Sequence, residues 1–468
     1  MTAKALILAA GAGTRMKSDK PKVVHEVLGK PLVRWVVDAA HDAGIEDVVT
    51  VLGHMSEKVA PFVEGDTKIA IQTQQLGTGD AVNAGREAFT QADGSIAEGS
   101  LVVLSGDCPL ITPETIQALI AKREETGAAV VVLTMHMDDP FGYGRIVREG
   151  EAVVRIVEQK DATPEEAAIT ECNSGFYCFD APALFDALSR VSNDNAQGEY
   201  YLTDVLEICR NDGREVLALQ TADAEEAMGV NSRVQLAQAT RAMQHRINNR
   251  HMMAGVTMWD PESTFVGPDV EIAQDVELWP QTYLLGATKV GSHSVIGPNT
   301  RLIDTQVGCG ARVDETVAIE ARIDDAAECV PRAYLRPGTH LCEGAKAGTH
   351  VEIKKSTIGK GSKVPHLSYI GDTTMGENVN IGAGSITCNY DGVNKNYTEI
   401  GDNVFVGSDT MMVAPVNIGA GAIIGASSCI TRDVAPDALA LERADQREIE
   451  GWAAKHMAKL KAKKEAAK

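Results

Sequence analysis

The chain has 468 residues, 44% hydrophobic and 23% charged, with 4% aromatics, 43 glycines and a net charge of −21. That length is too great for a single hydrophobic core, so two domains are the default. The negative balance excludes a general affinity for nucleic acid or an anionic membrane, so anionic substrates would need local Arg and Lys.

From Met1 to about Met228, short apolar runs alternate with amphipathic segments. Ala5–Ala10, Asp47–Gly53, Ser100–Asp107 and Ala128–Met135 predict strands, and Leu32–Ala43 and Pro113–Thr126 predict helices. This alternation implies a parallel sheet covered on both faces. The run Ala5–Ala10 is too short for a signal peptide's apolar region, and no stretch approaches membrane-spanning length. The nine cysteines are scattered without a C-x-x-C pair, and read as reduced cytosolic thiols rather than a disulfide frame or zinc site. Asn231–Ser232 predicts the N-cap of a helix running to about Met253. The expected division is a first domain over 1–230, a linker helix over 231–254, a second domain over 255–452 and a Lys-rich tail over 453–468. That tail reads as a mobile, solvated end.

After about Gly255 aliphatic residues recur every six positions. The series are Val290, Ile296, Leu302; Val307, Val313, Ile319; Leu335, Leu341, Ala347, Ile353; Ile358, Val364, Ile370; and Ile400 through Val406, Met412, Ile418 and Ile424 to Ile430. A six-residue period fits neither a helix nor an ordinary strand. It fits a parallel β-helix in which each hexapeptide forms one side of a triangular coil. Asp391–Glu399 breaks the period and predicts a loop leaving the coil.

Two groups of residues carry chemistry. In Leu8-Ala9-Ala10-Gly11-Ala12-Gly13-Thr14-Arg15, Gly11 and Gly13 let backbone N–H groups approach a phosphate or nucleobase, while Arg15 and Lys22 add positive charge. This string, with Lys20-Pro21-Lys22, resembles the signature of the sugar-nucleotide pyrophosphorylases, a Rossmann-like nucleotidyltransferase family. The resemblance implies that Gln72 and Gln75-Leu76-Gly77-Thr78-Gly79 read the uracil of UTP. It places Asp107, of Ser105-Gly106-Asp107, and Asn231 as Mg²⁺ ligands, and Gly144, Glu158 and Asn173 at the sugar phosphate. Taken singly, Asp107 could be a turn residue, Glu158 a surface carboxylate and Asn231 a helix cap.

In the repeat half, His366 falls at a corner or outer face, where an imidazole could take a proton from an attacking amine; surface imidazoles are also common. With Arg336, Lys354, Asn380-Ile381-Gly382-Ala383-Gly384 and Ile386–Lys395, it resembles the bacterial bifunctional N-acetylglucosamine-1-phosphate uridyltransferase/glucosamine-1-phosphate acetyltransferases over residues 4–452. The family implies a left-handed β-helix, a homotrimer and a cytoplasmic role in cell-wall precursor synthesis. It implies glucosamine 1-phosphate, acetyl-CoA and UTP as substrates. His366 would be the general base. Arg336, Lys354, Tyr369, Asn380 and Lys395 would hold the sugar phosphate. Ala383, Asn389, Tyr390, Ser408, Ala426 and Arg443 would contact acetyl-CoA. Val364-Pro365 stands where the family has a small pair, and Glu442 precedes Arg443 where a smaller residue is expected. The competing expectation is a single-function nucleotidyltransferase whose β-helix only oligomerises or regulates.

Overall fold

The computed structural model describes residues 3–150 and 152–467. The chain forms two compact units, Met1–Arg250 with Phe265–Pro268, and His251–Thr264 with Asp269–Lys468.

The first unit is built on a nine-stranded sheet. Its strands are β1 (Lys4–Ala9), β2 (Asp47–Leu52), β3 (Lys68–Ile71), β4 (Ser100–Ser105), β5 (Val130–His136), β6 (Arg145–Glu149), β7 (Ala152–Val157), β8 (Glu171–Asp180) and β9 (Val216–Gln220). The order is β9-β5-β8-β4-β1-β2-β3, with the hairpin β6–β7 joined to β8. β1 is central and parallel to β2 and β4. Ala5 and Ile7 enter one hydrophobic cluster and Leu6 the other, so both faces are covered. The expected parallel sheet holds for β1, β2, β3 and β4 and for β5 with β9, and is interrupted by β8, which runs antiparallel between β4 and β5. The polar stretch Asn173-Ser174-Gly175 and a register shift between Asn173 and Tyr177 hide β8 from any apolar pattern.

Local chemistry sets the helix ends. Thr112 accepts the Thr115 N–H at 3.3 Å, Pro113 opens the helix Pro113–Thr126, and Gly127 closes it in the left-handed region. The helix Arg233–Met253 begins just after Ser232, whose hydroxyl caps it. Ser232 Oγ accepts the Gln235 N–H at 3.3 Å, and Gln235 Oε1 accepts the Asn231 N–H at 2.9 Å.

The second unit is the left-handed β-helix. Three parallel sheets of eleven, ten and nine strands receive the chain's strands in rotation, at roughly eighteen residues per coil. Ile296, Leu302, Val313, Leu335, Leu341, Ala347, Ile353, Ile358, Val364, Ile370, Val406, Met412 and Ile424 are fully buried, as the period requires. Ile319 is the exception. Ala318 is the fully buried residue of the strand Val317–Ile319, because the turn after Val313 is one residue short. Corner hydroxyls satisfy the backbone: Ser362 Oγ donates to Gly376 O at 2.7 Å and accepts the Val379 N–H at 2.9 Å.

The loop out of the coil ends sooner than expected. Thr398–Ile400 is already a strand, paired with Thr373–Met375. The Lys-rich tail is a helix, Trp452–Ala466, with every described side chain exposed. Among the described residues no helix is long and apolar enough to cross a membrane.

Candidate active sites

β1 leads out of the core at Leu8-Ala9, and the Gly106 N–H donates to Leu8 O at 2.9 Å, so Ser105 and Gly106 end level with the glycine turn. Gly13 has φ 61°, and a Cβ there would lie 2.5 Å from Lys22 Cβ. A side chain at Gly13 would therefore push away the Lys22 stem. Lys22 Nζ forms an ion pair with Asp107 and donates to Asn231 Oδ1 at 2.9 Å. Asn231 is brought in by the Val230 N–H, which donates to Asp107 O at 2.9 Å. Asp107 Oδ2 and Asn231 Oδ1 thus converge on one cation, the Lys22 ammonium. Two hard oxygen donors aimed at a common point fit a divalent cation that completes its shell with water and phosphate. Arg15 is exposed on the turn Thr14–Met16, whose Met16 is buried, and has no polar partner among the described residues.

The loop after β3 is stitched to this turn. Gln75 Nε2 donates to Ala10 O at 2.6 Å, and Thr78 Oγ1 accepts the Leu202 N–H at 3.0 Å. Gln72 is buried and its Nε2 is engaged by Gly77 O at 3.2 Å and Asp80 Oδ2 at 2.8 Å, which leaves Oε1 for a ligand. At the other end, Gly144 O accepts the Asn173 N–H at 2.9 Å. A Cβ on Gly144 would lie 2.9 Å from Ile156, and 3.5 Å from both Asn173 Cβ and Glu158 Oε1. These three predicted sugar-phosphate residues therefore share one patch. Burial pushes the Glu158 carboxyl above its ordinary range, against a weaker opposing hydrogen bond from Thr203.

On the β-helix the register assembles a second set. Thr349 pairs with His366, Lys363 with Asn380, Ile381 with Val406, and Val406 with Ile424. His366, Ala383, Ser408 and Ala426 consequently form one column at a corner of the prism. Arg443 Nη1 donates to Ala426 O at 3.0 Å and joins it. The His366 imidazole is exposed and has no hydrogen-bond partner among the described residues.

The next sheet carries Arg336, Lys354 and Tyr369. Leu335 pairs with Ile353, which sets Arg336 beside Lys354, and Lys354 pairs with Gly371. Arg336 Nη1 donates to Glu352 Oε1 at 2.9 Å. Lys354 Nζ and Asn389 Nδ2 both donate to Asp372 Oδ2, at 3.2 and 2.5 Å, and Asn389 also reaches the Tyr369 hydroxyl at 3.4 Å. Gly371 leaves the space for this: a Cβ there would collide with the Tyr369 hydroxyl and lie 2.7 Å from Asn389 Nδ2. On the loop, Lys395 Nζ lies 4.1 Å from the Tyr390 ring centroid.

Residues 5–212 match the family model of a MobA-like NTP transferase domain, and residues 397–432 match that of the bacterial transferase hexapeptide in six repeats. Relatives named bifunctional protein GlmU match nearly the whole chain. That of Streptomyces coelicolor is 50% identical over 458 residues, covering 97% of this chain and 94% of its own. That of Syntrophotalea carbinolica is 50% identical over 461 residues, 98% of each. That of Carboxydothermus hydrogenoformans is 48% identical over 442 residues, 94% of this chain and 98% of its own. The chain belongs to the bifunctional GlmU family.

Two residues of this GlmU-family chain were not singled out from sequence. Asp372 is 5% exposed and joins Lys354 to Asn389. Its one signal is its corner position after Ile370-Gly371, where φ is +50° and Asp is among the few tolerated side chains. Arg145 is 1% exposed and pairs with no carboxylate among the described residues. It donates to Tyr143 O, to Gln159 Oε1 at 2.7 Å and to Ala167 O at 3.3 Å, while Gln159 Oε1 also accepts the Gly142 N–H at 3.0 Å. An arginine opening a strand reads from sequence as a surface charge. Here it pins the loop that carries Gly144.

Proposed function

We propose that this chain acetylates glucosamine 1-phosphate with acetyl-CoA on the β-helix. It then transfers UMP from UTP to the N-acetylated product on the first unit, yielding UDP-N-acetylglucosamine and pyrophosphate. The observation that carries the reading is the meeting of Lys22, Asp107 and Asn231, far apart in sequence, beside a glycine turn at the end of β1.

In the uridyl step a phosphate oxygen of the sugar attacks the α-phosphorus of UTP in line, and pyrophosphate leaves. Backbone N–H groups at Gly11 and Gly13, with Arg15 and Lys22, neutralise the spreading phosphate charge and align the reactants. Asp107 and Asn231 would hold Mg²⁺, which supplies further charge neutralisation when bound. Lys22 is then free to turn towards phosphate. Gln72 Oε1 and the Gln75–Gly79 loop face the uracil, and Gly144, Glu158 and Asn173 receive the sugar.

In the acetyl step His366 takes a proton as the glucosamine nitrogen attacks the thioester carbonyl, and the thiol of CoA leaves with a proton. The Ala383 N–H would stabilise the oxyanion. Arg336, Lys354, Tyr369, Asn380 and Lys395 would hold the sugar phosphate, and Asn389, Tyr390, Ser408, Ala426 and Arg443 the coenzyme. His366 and Asp372 stand at opposite ends of one face of the coil, six residues apart along the chain through the strand Tyr369–Gly371, which is roughly 20 Å at about 3.3 Å per residue. That separation supports a homotrimer in which a neighbouring copy completes the site. The exposed apolar ladder Phe405, Ile423 and Leu439 on adjacent coils also supports it. A cytoplasmic setting follows from the same reading, since it supplies all three soluble substrates.

The test is to incubate the protein with glucosamine 1-phosphate, acetyl-CoA, UTP and Mg²⁺ and to assay free CoA and pyrophosphate together. Release of both, with pyrophosphate dependent on acetyl-CoA, is expected. Equal use of the unacetylated sugar phosphate with UTP would overturn the order of the steps. Pyrophosphate without any CoA release would leave the β-helix a passive tail.

A further inference from the structure

On the third sheet of the β-helix, which carries none of the residues assigned to acetyl transfer, Asp324 Oδ2, His340 Nε2 and Cys342 Sγ all lie within 4.8 Å of one another. The His340 nitrogen is 2.7 Å from the Asp324 oxygen and 3.9 Å from the Cys342 sulfur. We propose that these three side chains bind a divalent transition metal of the zinc class, which clips two successive coils together.

The backbone presents the set. His340 and Cys342 flank the buried Leu341, so both project outward from one coil. Ile323 pairs with Leu341, so Asp324 stands beside Cys342 on the preceding coil. With metal–ligand bonds of about 2.0–2.3 Å in tetrahedral array, neighbouring ligand atoms should sit roughly 3.3–3.6 Å apart. The observed pair distances bracket that value, and side-chain rotations of under about 1 Å seat the ion. Arg322 Nε donates to Asp324 Oδ1 at 2.7 Å, orienting the carboxylate and leaving Oδ2 to face the imidazole. The same guanidinium is a positive neighbour that lowers affinity for any cation. All three ligand residues are half-buried, so an ion can enter and water can take the fourth position.

Thiolate and imidazole select zinc or cobalt over magnesium. This site therefore differs in kind from the all-oxygen pair Asp107 and Asn231. Binding requires the Cys342 thiol to lose a proton, so one proton is released per ion bound, and no electron is transferred. Because the ligands come from two coils, the ion would stabilise the folded β-helix by mass action.

The test uses the full-length protein stripped of metal and titrated with Co²⁺. We expect one equivalent to produce a thiolate-to-cobalt charge-transfer band in the near ultraviolet, displaced by Zn²⁺, and Zn²⁺ to raise the melting temperature of the β-helix. Cys342→Ser should abolish the band and His340→Gln should weaken binding about tenfold or more, both with unchanged circular dichroism and unchanged pyrophosphate release. A band that persists in Cys342→Ser would place the ion on another cysteine and overturn the proposal. So would the absence of any band in the parent protein, which would leave His340 and Asp324 a simple hydrogen-bonded pair.

Discussion

Replacing Asp372 by asparagine keeps the shape of the side chain and removes its charge. The carboxylate is 5% exposed and accepts both Lys354 and Asn389. Breaking a fully buried ion pair costs about 3–5 kcal/mol. The Lys354 side chain keeps 23% of its exposure and can partly rehydrate, so about 1–2 kcal/mol is the appropriate share. Exchanging a charged for a neutral acceptor opposite Asn389 adds about 1 kcal/mol. The sum, about 2–3 kcal/mol, should lower the melting temperature of a unit this size by about 5–10 °C. With Lys354 no longer fixed, KM for glucosamine 1-phosphate in CoA release should rise about 10- to 100-fold, that is about 1.4–2.7 kcal/mol of binding. Pyrophosphate release from UTP and supplied N-acetylglucosamine 1-phosphate should be untouched. Scanning calorimetry and the two product assays, run on one preparation, decide the matter. A variant with parental melting temperature and parental KM for the amino sugar would refute the assignment of Asp372 as the residue that positions Lys354 and Asn389.

His366→Ala should reduce CoA release by about 10²- to 10⁴-fold while pyrophosphate release from UTP and supplied N-acetylglucosamine 1-phosphate stays at the parental rate; a parallel fall in both would mean that the imidazole is structural. Gly13→Ala places a side chain at φ 61° against the Lys22 stem, so a cost of about 1–2 kcal/mol in stability should accompany loss of uridyl transfer alone, read by pyrophosphate release and melting of the first unit. Asp204 is raised to about 6, mainly by burial and then by repulsion from Glu207 and Asp161. A carboxyl raised on folding contributes stability that is complete below its unfolded pKa and disappears as pH rises through the folded value. Asp204→Asn should therefore stabilise the first unit by about 1 kcal/mol at pH 7.5, after discounting for its partial exposure, and by nothing at pH 4. Denaturant titrations at the two pH values would show it.

Much of this was legible without coordinates, for identifiable reasons. The interior of the β-helix is written as a local period, so Val364, Ile370 and the series from Ile400 to Ile430 fall where the spacing puts them. Ile319 does not, because one shortened turn shifts the count and nothing in the pattern marks it. The glycine turn was legible because its chemistry lies within a few residues, and the ends of Pro113–Thr126 because Thr112, Pro113 and Gly127 are local signals. The antiparallel β8 was not, since its Asn-Ser-Gly interruption resembles a loop.

By itself, then, the sequence determined the two kinds of architecture, the repeat interior and the identity of most candidate site residues, all of which depend on composition, period or short motifs. Only the tertiary structure decided which of them meet. Lys22 reaches Asn231 through the crossing of β1, β4 and a turn more than two hundred positions away. Asp372 ties Lys354 to Asn389, and Asp324 faces His340 and Cys342, because stacking puts residues a whole coil apart side by side. Coil length varies by a residue or two and one loop interrupts the stack, so that vertical register follows from the hydrogen bonding between coils and not from the period along them.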